Sequence, residues 1–598
     1  MRLSTCSAVA AILAGLAGLS APHGATAAGP PAADTIYLHG HVITEDSDRP
    51  SAQAVAVKAG RILAVGDDRQ IQRLRAPATK VVDLGGKVML PGFVDGHSHI
   101  GDLVGTWRIA DLSPPPVGKT ESIGGLQRVM RDYISSARPS AEALVVGFGY
   151  DDSLLAEKRH PNLSELDAIA PGRPICLIHV SGHLASCNAA GLKKLGLGRA
   201  TPDPKGGHLG RDSAGELNGM LEEQAVFPIF GAIPPMTPAQ AAKAFDEIQT
   251  YYASLGYTTA QDGQTLSPAT VGLLLAAQKA GTLKIDIASY PKWTVIDDLV
   301  AKYGLTIGGP YVNRLKFAGV KISEDGSPQG KTAYLTQPYL HPPPGQPASY
   351  RGSPTLPADE LAKWYETFMG RGWQVQTHCN GDACIDMVLA AIRAAYAVHP
   401  DAARTRPVII HSQVTRRDQL LDYAKLGVFP SFFAEHTYYW GDWHRNETLG
   451  AERATYISPT ADALKLGLHF SLHTDAPVVP PDPMHVWWSA VNRVTRSGFV
   501  LGPDQRIAPM DALRALTIWP AWQHFDEKIR GSITVGKLAD FVVLDANPLT
   551  IDPMKIRDVH VLMTIKEGEA IYERGLTPVT KVPFATSHGS AIGWRSEE

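Results

Sequence analysis

Histidine is the residue type whose number and spacing first suggest chemistry in this chain. The 598 residues include 21 histidines and only 5 cysteines, and imidazole both binds metals and titrates near neutral pH. His97 and His99 form an H-x-H pair at the end of the apolar run VMLPGFVDGHSHI (88–100). Because side chains two residues apart on a strand point the same way, the pair is typical of a metal clamp. Two core or solvated histidines are the alternative for this pair alone.

Three further apolar runs end on metal-binding residue types. VQTHCNGD presents His378, VIIHSQ presents His411 and FSLHTDAP presents Asp475. The spacings, 33 and then 64 residues, correspond to one and two βα units, so these runs are predicted to be strands 5, 6 and 8 of a barrel, with the H-x-H pair on strand 1. Parallel barrel strands end at one face, so four imidazoles and a carboxylate should meet there and bind one or two divalent metal ions. Zn²⁺ suits these ligands best, with Fe, Co, Ni or Mn as alternatives.

A bridge between two metals would come from the strand-like run RLKFAGVKI (314–322), which is predicted to be strand 4. An ammonium group cannot ligate a cation, but a Lys321 carbamylated by CO₂ (N6-carboxylysine) would offer a bridging carboxylate. Glu324 is the other bridging candidate, and a surface or ion-paired role for Lys321 is the simpler alternative.

The elements that must position these residues alternate between strand-like and helical patterns, which predicts parallel βα units. The predicted strands number near eight and the predicted helices include 357–372 and 383–400, so the fold class is an α/β TIM (β/α)8 barrel over 91–526, with an insertion at about 101–250. A doubly wound open sheet is the alternative, although no G-x-G-x-x-G follows a strand. Short strands at 28–90 and 527–580 predict a small β-sandwich domain formed by both chain ends, before a tail at 581–598. The predicted strands are 143–150, 174–180, 257–263, 284–291, 314–322, 373–378, 406–411, 427–433 and 468–475.

Composition and the first residues limit the location and the partners. A net charge of −3 provides no field for a polyanion, so no nucleic acid is expected. Residues 1–27 combine Arg2, a short apolar run and an A-x-A site, which predicts a cleaved signal peptide and a periplasmic or secreted protein; a membrane anchor is the alternative. No later run of 18 uncharged apolar residues exists, so no stable membrane insertion is expected. The oligomeric state is left open, a homo-oligomer included.

The cysteines exclude a thiolate zinc cluster, because no C-x-x-C pair is present. Cys176 with Cys187, or Cys379 with Cys384, are candidate disulfides in an oxidising compartment, and buried free thiols are an equal alternative.

Taken as a set, the motifs PGFVDGHSH, Lys321 before EDGS, THCNGD, IIHSQ and HTDAP resemble the amidohydrolase superfamily, and specifically its third family, which includes N-substituted formamide deformylase-like proteins. The resemblance covers roughly 34–575, and GSITVGKLADFVVLD (531–545) is similar to the family's C-terminal sandwich strands. It implies a metal-bearing barrel with a split sandwich. The implied ligands are His97, His99, His378, His411 and Asp475, with Lys321 as a carbamylated bridge. His183 resembles a recurring family position that contacts substrate or a reaction intermediate; a structural loop histidine is the alternative.

The implied activity is hydrolysis of a C–N bond in a small amide-like substrate: an amide, a carbamate or a cyclic amide. A metal-activated water attacks, and Asp475 acts as general base and then general acid. The segment FFAEHTYYWGDWHRN (432–446) follows strand 7 and should cover the site, so Tyr438, Trp440 and His436 are predicted to line the substrate pocket; core packing is their alternative. The segment 327–335 departs from the family's simpler form, which puts a formamide substrate in doubt. A metal-dependent esterase or lactonase and a non-catalytic periplasmic metal- or ligand-binding protein are the competing functions.

Overall fold

Eight short parallel strands organise the centre of the molecule. The computed structural model describes residues 32–579 apart from 108, 116, 234, 235 and 344. In chain order the central strands are Phe93–Val94, Tyr257–Thr265, Asp286–Pro291, Leu315–Phe317 continued by Gly319–Ser323, Gln374–Cys379, Val408–His411, Phe429–Phe432 and Ser471–Leu472. The first four form one parallel ladder that ends at Leu315–Phe317, and Gly319–Ser323 begins a second ladder of five strands. The result is a TIM-barrel-like α/β fold, as the alternation of elements predicts.

Helices separate these strands along the chain. Several have local start and stop signals: Ser267 caps Pro268–Ala280 by accepting from the Thr270 amide, and Gly281 ends that helix in the left-handed region, where a missing Cβ removes the steric penalty. The helices of this part are Pro238–Ser254, Pro268–Ala280, Ile296–Tyr303, Ala358–Gly370, Asp382–Val398, Arg417–Leu426, His436–Tyr439, Gly441–Trp443, Ala451–Thr455, Thr460–Lys465, Pro483–Asn492, Pro509–Arg514 and Ile518–Gln523, with 3₁₀ turns at Pro400–Thr405, Pro503–Gln505 and Pro553–Asp558 and a π turn at His444–Thr448.

A separate six-stranded sheet lies between the first and second central strands, and we call residues 101–250 the insertion. Its strands, in spatial order, are Gly207–Arg211, Leu217–Glu223, Leu184–Cys187, Ile175–His179, Val145–Tyr150 and Ala110–Asp111. Alternate residues pack into two different apolar cores, Val145 in one and Val146 in the other, because strand side chains alternate between faces. The insertion helices are Leu103–Thr106, Ile123–Ala137, Leu163–Asp167, Ala189–Lys194 and Phe227–Ala232.

Both ends of the described chain contribute to one sheet. Val88–Pro91 pairs with His41–Ile43 on one side and with Phe541–Leu544 on the other, in the order Glu569–Glu573, Val561–Lys566, Phe541–Leu544, Val88–Pro91, His41–Ile43 and Ser51–Ala52. A second sheet contains only N-terminal strands: Arg61–Gly66, Ala54–Lys58, Thr35–Leu38 and Lys80–Asp83, with the helix Asp68–Gln72 nearby. Tyr37 of the second sheet and Phe541 of the first meet edge to face at 5.9 Å and share one apolar core.

Both candidate disulfides are present. Cys176 and Cys187 are directly paired partners on antiparallel strands of the insertion. Cys379, the last residue of the fifth central strand, is joined to Cys384 in the helix that follows. Within 32–579, no helix is both long and apolar enough to cross a membrane. The predicted signal peptide at 1–27 and the tail at 581–598 lie outside the described residues.

Candidate metal centre

The six predicted ligands come together at one end of the central strands, and we call them the barrel-mouth cluster: His97, His99, Lys321, His378, His411 and Asp475. Asp475 is at its centre. Its Oδ1 is 3.1 Å from His99 Nε2 and 3.3 Å from His97 Nε2, and its Oδ2 is 3.8 Å from His411 Nε2. Ligand atoms of His97, His411 and Asp475 all lie within 4.8 Å of one another. Three residues far apart in sequence thus present one nitrogen or oxygen each to a common point.

Lys321 and His378 complete the cluster. The Nζ atom of Lys321 is 3.1 Å from His97 Nε2, and the lysine is only 1% exposed. The His378 ring lies 4.6 Å from that of His411. Nδ1 of His378 is buried, 3.3 Å from Asp325 Oδ1 but outside hydrogen-bond geometry. Among the described residues, the buried amine of Lys321 contacts an imidazole nitrogen and forms no ion pair with a carboxylate.

Gln261 sets the orientation of His97. Its Nε2 donates to the Gly96 carbonyl at 2.9 Å, which turns Oε1 toward His97 Nδ1 at 2.5 Å. His97 therefore donates from Nδ1 and keeps the Nε2 lone pair for a ligand, as metal-binding histidines do. Gly263 makes room for the ring, since a Cβ there would lie 2.2 Å from His97 Cε1. Nothing in the local sequence marks Gln261, which is on the second central strand, 164 residues from His97.

His473 sets the orientation of His411 in the same way. Nδ1 of His411 is 3.1 Å from His473 Nε2, and His473 Nδ1 is 2.8 Å from Ser431 Oγ. A chain of donors from His411 to His473 to Ser431 leaves Nε2 of His411 free to face Asp475. Sequence reasoning missed His473, although it stands two residues before Asp475 in HTD, the spacing that identified the H-x-H pair.

The backbone at the cluster differs from the predicted strand ends in one respect. His378 and His411 are strand residues, but the first strand ends at Val94 and the last at Leu472, so His97, His99 and Asp475 lie in the turns that follow. Asp95 stabilises the first turn by accepting from the His97 amide at 3.1 Å and from the Ser98 hydroxyl. His411 and Asp475 have φ of 71° and 56°, a left-handed conformation that is uncommon for residues other than glycine and concentrates at functional sites.

Burial determines which protonation states the cluster favours. Burial, reinforced by the charge of Lys321, lowers the pKa of His97 to about 3, and burial also brings the pKa of His411 well below its usual range. Burial lowers the pKa of Lys321 to about 7. Burial opposes ionisation of Asp475, but the surrounding histidines, His411 first, hold its pKa well below its usual range. Neutral imidazoles and an ionised carboxylate are the forms that ligate metals.

The insertion reaches the cluster through His183. The His183 ring is 5.1 Å from that of His378, and its Nδ1 is 2.6 Å from Glu223 Oε2. Burial opposes protonation of His183, but the Glu223 carboxylate outweighs it and raises the pKa of His183. The residue predicted to contact substrate therefore lies at the mouth, held by a carboxylate that the sequence did not indicate.

Only part of the aromatic segment after the seventh strand lies near the barrel-mouth cluster. The buried His436 ring is 6.0 Å from that of His411, and its Nδ1 has no hydrogen-bond partner in the described chain. Trp440 is 5.6 Å from His436 and donates from Nε1 to Asp151 of the insertion. Tyr438 packs instead on His485 and Trp488, at 4.7 and 5.6 Å. His436 is the member of this segment nearest the cluster, and the role of all three in binding substrate stays a prediction.

Comparison with known proteins agrees with this geometry. The amidohydrolase family model matches residues 80–572. The chain is 27% identical to the N-substituted formamide deformylase of Arthrobacter pascens, over 90% of this chain and 98% of that protein, and 26% identical to the putative amidohydrolase YtcJ of Bacillus subtilis (strain 168), over 89% and 98%. An uncharacterized metal-dependent hydrolase from Pyrococcus horikoshii OT3 has the same fold, with a TM-score of 0.68 and 24% identity over 87% of this chain and 99% of that one. The chain therefore belongs to the amidohydrolase family and is a hydrolase that acts on carbon–nitrogen bonds.

Proposed function

We propose that the protein is an exported, metal-dependent amidohydrolase that cleaves an amide, carbamate or cyclic amide bond of a small molecule with a metal-activated water. The observation that carries this proposal is the convergence of His97, His411 and Asp475, with two of the three imidazoles around Asp475 turned by hydrogen bonds so that Nε2 faces the carboxylate.

The donor set fits a divalent metal ion. Nitrogen ligands with a carboxylate suit Zn²⁺, and the buried Nδ1 of His378 makes no hydrogen bond to any described residue, as expected of a ligand atom without its ion. His97, His99, His378, His411 and Asp475 would hold one or two ions, with carbamylated Lys321 as the bridge. A bound ion lowers the pKa of water from 15.7 toward about 7 and polarises the scissile carbonyl.

Asp475 is the proposed general base and acid. It is ionised, because the neighbouring histidines hold its pKa well below its usual range, and its side chain is only 12% exposed. It can accept a proton from the attacking water and deliver it to the leaving nitrogen, a role that needs one carboxylate within reach of both atoms. His183, whose ring lies 5.1 Å from that of His378, is the proposed contact to the substrate carbonyl or to the tetrahedral oxyanion.

Substrate selection is proposed to come from the segment around His436 and Trp440. The buried ring of His436 lies 6.0 Å from that of His411, and buried Trp440 lies 5.6 Å from His436. Together these rings would favour an aryl or long acyl group over a small polar one. The formamide deformylase relative supports an N-substituted amide as the substrate class.

Export and the complete architecture are part of the same proposal. The two disulfides suit an oxidising compartment, in keeping with a signal peptide at 1–27 and a periplasmic or secreted location. The shared core of the terminal sheets supports a β-sandwich formed from 28–90 and 527–580, beside the (β/α)8 barrel proposed for 91–526.

The test is a panel of N-acyl amines, anilides and carbamates, assayed on the purified chain with added Zn²⁺ and bicarbonate. Asp475→Asn should lower kcat by about 10²–10⁴-fold, the usual contribution of a positioned general base. Asp504→Asn, an exposed carboxylate, is the matched control and should leave turnover unchanged. Full turnover by Asp475→Asn would refute the mechanism.

Matched aryl ester and anilide substrates address the type of bond. Higher kcat/KM on anilides supports the amidohydrolase assignment, and turnover of esters alone would favour an esterase. A protein that binds metal but hydrolyses no member of the panel would favour the binding-protein alternative.

A further inference from the structure

Four side chains with metal-binding groups also meet inside the insertion, and we call them the insertion cluster: Asp151, Asp152, His160 and His179. Asp151 and Asp152 directly follow the strand Val145–Tyr150, and His179 ends the strand Ile175–His179. The two strands are parallel neighbours, and their register pairs Tyr150 with His179. As in the barrel-mouth cluster, residues of metal-binding types therefore lie at the carboxyl ends of adjacent parallel strands.

The spacing of the ligand atoms matches that of the barrel-mouth cluster. His179 Nε2 is 3.2 Å from Asp152 Oδ1 and 3.9 Å from Asp151 Oδ1, and His160 Nε2 is 3.7 Å from Asp152 Oδ2. Around Asp475 the corresponding distances are 3.1 to 3.8 Å. Ligands about 2.0 Å from a tetrahedral ion are about 3.3 Å from one another, so both sets have the separations of a metal site.

One nitrogen in this cluster is buried without a hydrogen bond. His179 has 0% exposure, and within the described residues its Nε2 makes none, although two carboxylates face it. Asp151 is 2% exposed. A cation beside a buried carboxylate such as Asp151 stabilises its charge, and either a protonated His179 or a metal ion would supply one here.

Neighbouring groups hold the ligands in place, as around metal sites. Asp151 accepts from the Ser153 amide at 2.9 Å, from Ser153 Oγ at 2.6 Å and from Trp440 Nε1 at 2.6 Å. A carboxylate has about four acceptor positions; Ser153 occupies two on Oδ1 and Trp440 one on Oδ2, so the position that remains for an ion is on Oδ2. Nδ1 of His160 is 3.1 Å from the Tyr150 hydroxyl, which leaves Nε2 directed at Asp152.

The hydrogen bonds of the other ring nitrogen, Nδ1, indicate that a metal ion at Nε2 of His179 would displace a proton. Its Nδ1 is 2.9 Å from Ser181 Oγ and 3.1 Å from the Ser181 amide, which donates to it. The hydrogen bond from the Ser181 amide favours the tautomer of His179 that has its proton on Nε2, toward the carboxylates. An ion at Nε2 moves the proton to Nδ1, where Ser181 Oγ accepts it, so metal and proton compete for one position. The two aspartates that face Nε2 attract either cation to this position.

We propose that Asp151, Asp152 and His179, with His160 as the fourth ligand, bind a divalent transition metal ion of the Zn²⁺ type. Two carboxylates and two imidazoles form a closed donor set, which is typical of a structural site rather than a catalytic one. Through Asp151 the site would join the insertion to Trp440, and through Trp440 to His436 beside the barrel-mouth cluster.

The test measures metal content of the full chain after equilibration with Zn²⁺ and removal of excess ion. In a variant whose barrel-mouth cluster is disabled (His97→Ala, His411→Ala and Asp475→Ala), about one equivalent should remain, and adding His179→Gln should remove it. In the otherwise unaltered chain, His179→Gln should lower the content by about one equivalent, which decides the question even if the triple variant fails to fold.

His208→Gln is the matched control, because His208 also pairs with an aspartate of the insertion, Asp203 at 2.8 Å, but in an exposed position. It should leave the metal content unchanged. With Co²⁺ in place of Zn²⁺, His179→Gln should remove part of the visible absorption of the unaltered chain. An unaltered metal content and an unaltered Co²⁺ spectrum in His179→Gln would overturn the proposal and leave a proton-bridged ion pair. Either result is independent of turnover, so it is separate from the proposed hydrolase mechanism.

Discussion

The hydrogen bond between Gln261 and His97 gives the most direct test of how the barrel-mouth cluster is organised. Gln261→Leu removes the acceptor 2.5 Å from His97 Nδ1, and both residues have 0% exposure. The Gly96 carbonyl loses the donor from Gln261 but keeps the one from Gln523 at 2.8 Å. The energetic loss is therefore concentrated on the buried Nδ1 group of His97.

An unsatisfied buried donor costs about 1–3 kcal/mol. Loss of a hydrogen-bond partner to a metal ligand weakens metal affinity by about 10–100-fold, or about 1.4–2.7 kcal/mol. The two ranges agree, so we expect the Kd for Zn²⁺ to rise by about 10–100-fold in Gln261→Leu. Gln261→Glu keeps an oxygen acceptor and should bind Zn²⁺ much more tightly than Gln261→Leu does.

Competition with a chromophoric chelator measures these affinities, with circular dichroism to confirm folding. Gln374→Leu is the matched control: it also removes a buried glutamine of a central strand, one that donates to the Arg406 and Gln523 carbonyls and that lies four residues before His378. It should reduce stability and leave the Kd for Zn²⁺ unchanged. A folded Gln261→Leu with the affinity of the unaltered chain would refute the orienting role of Gln261.

Three further predictions concern stability and the metal. Asp286 is buried against Arg530 at 2.6 Å and Lys566 at 2.8 Å, and despite burial these cations, Arg530 first, lower its pKa from 3.8 to about 2. The lowered pKa stabilises the fold by about 2 kcal/mol above pH 4, and this contribution is lost as the pH falls toward 2. The urea midpoints of Asp286→Asn and of the unaltered chain should therefore differ at pH 7 and converge below pH 4. A difference that stays constant with pH would contradict this. Removal of metal by a chelator should abolish turnover, with recovery on Zn²⁺ addition; turnover that survives complete removal would exclude a metal-activated water. Lys321→Ala should lower metal content and recover part of it with added acetate or formate, and unchanged metal content would argue against a carbamate bridge.

The ligand positions could be predicted because each is encoded locally. His378 and His411 end short apolar runs, and Asp475 follows one closely, so the chain order of strands and the rule that parallel strands end at one face were enough to bring them together. The same reasoning gave the helices near 357–372 and 383–400, observed as Ala358–Gly370 and Asp382–Val398.

Local patterns could not show which sheet each predicted strand joins. The runs 143–150 and 174–180 have the same apolar character as the central strands, yet they form Val145–Tyr150 and Ile175–His179 of the insertion sheet. Strand patterning indicates burial and not which sheet a strand joins, because pairing depends on contacts between distant residues.

The sequence by itself determined the family, the order of the central strands and the six residues of the barrel-mouth cluster, since these depend on short motifs and their spacing. Only the tertiary structure decided that Gln261 turns His97, that His473 turns His411, that the cysteines pair, and that Asp151 and Asp152 meet His179. Each of these is a contact between side chains whose partner lies on another strand or loop, and a hydrogen bond or ion pair of that kind leaves no periodic signature in either segment.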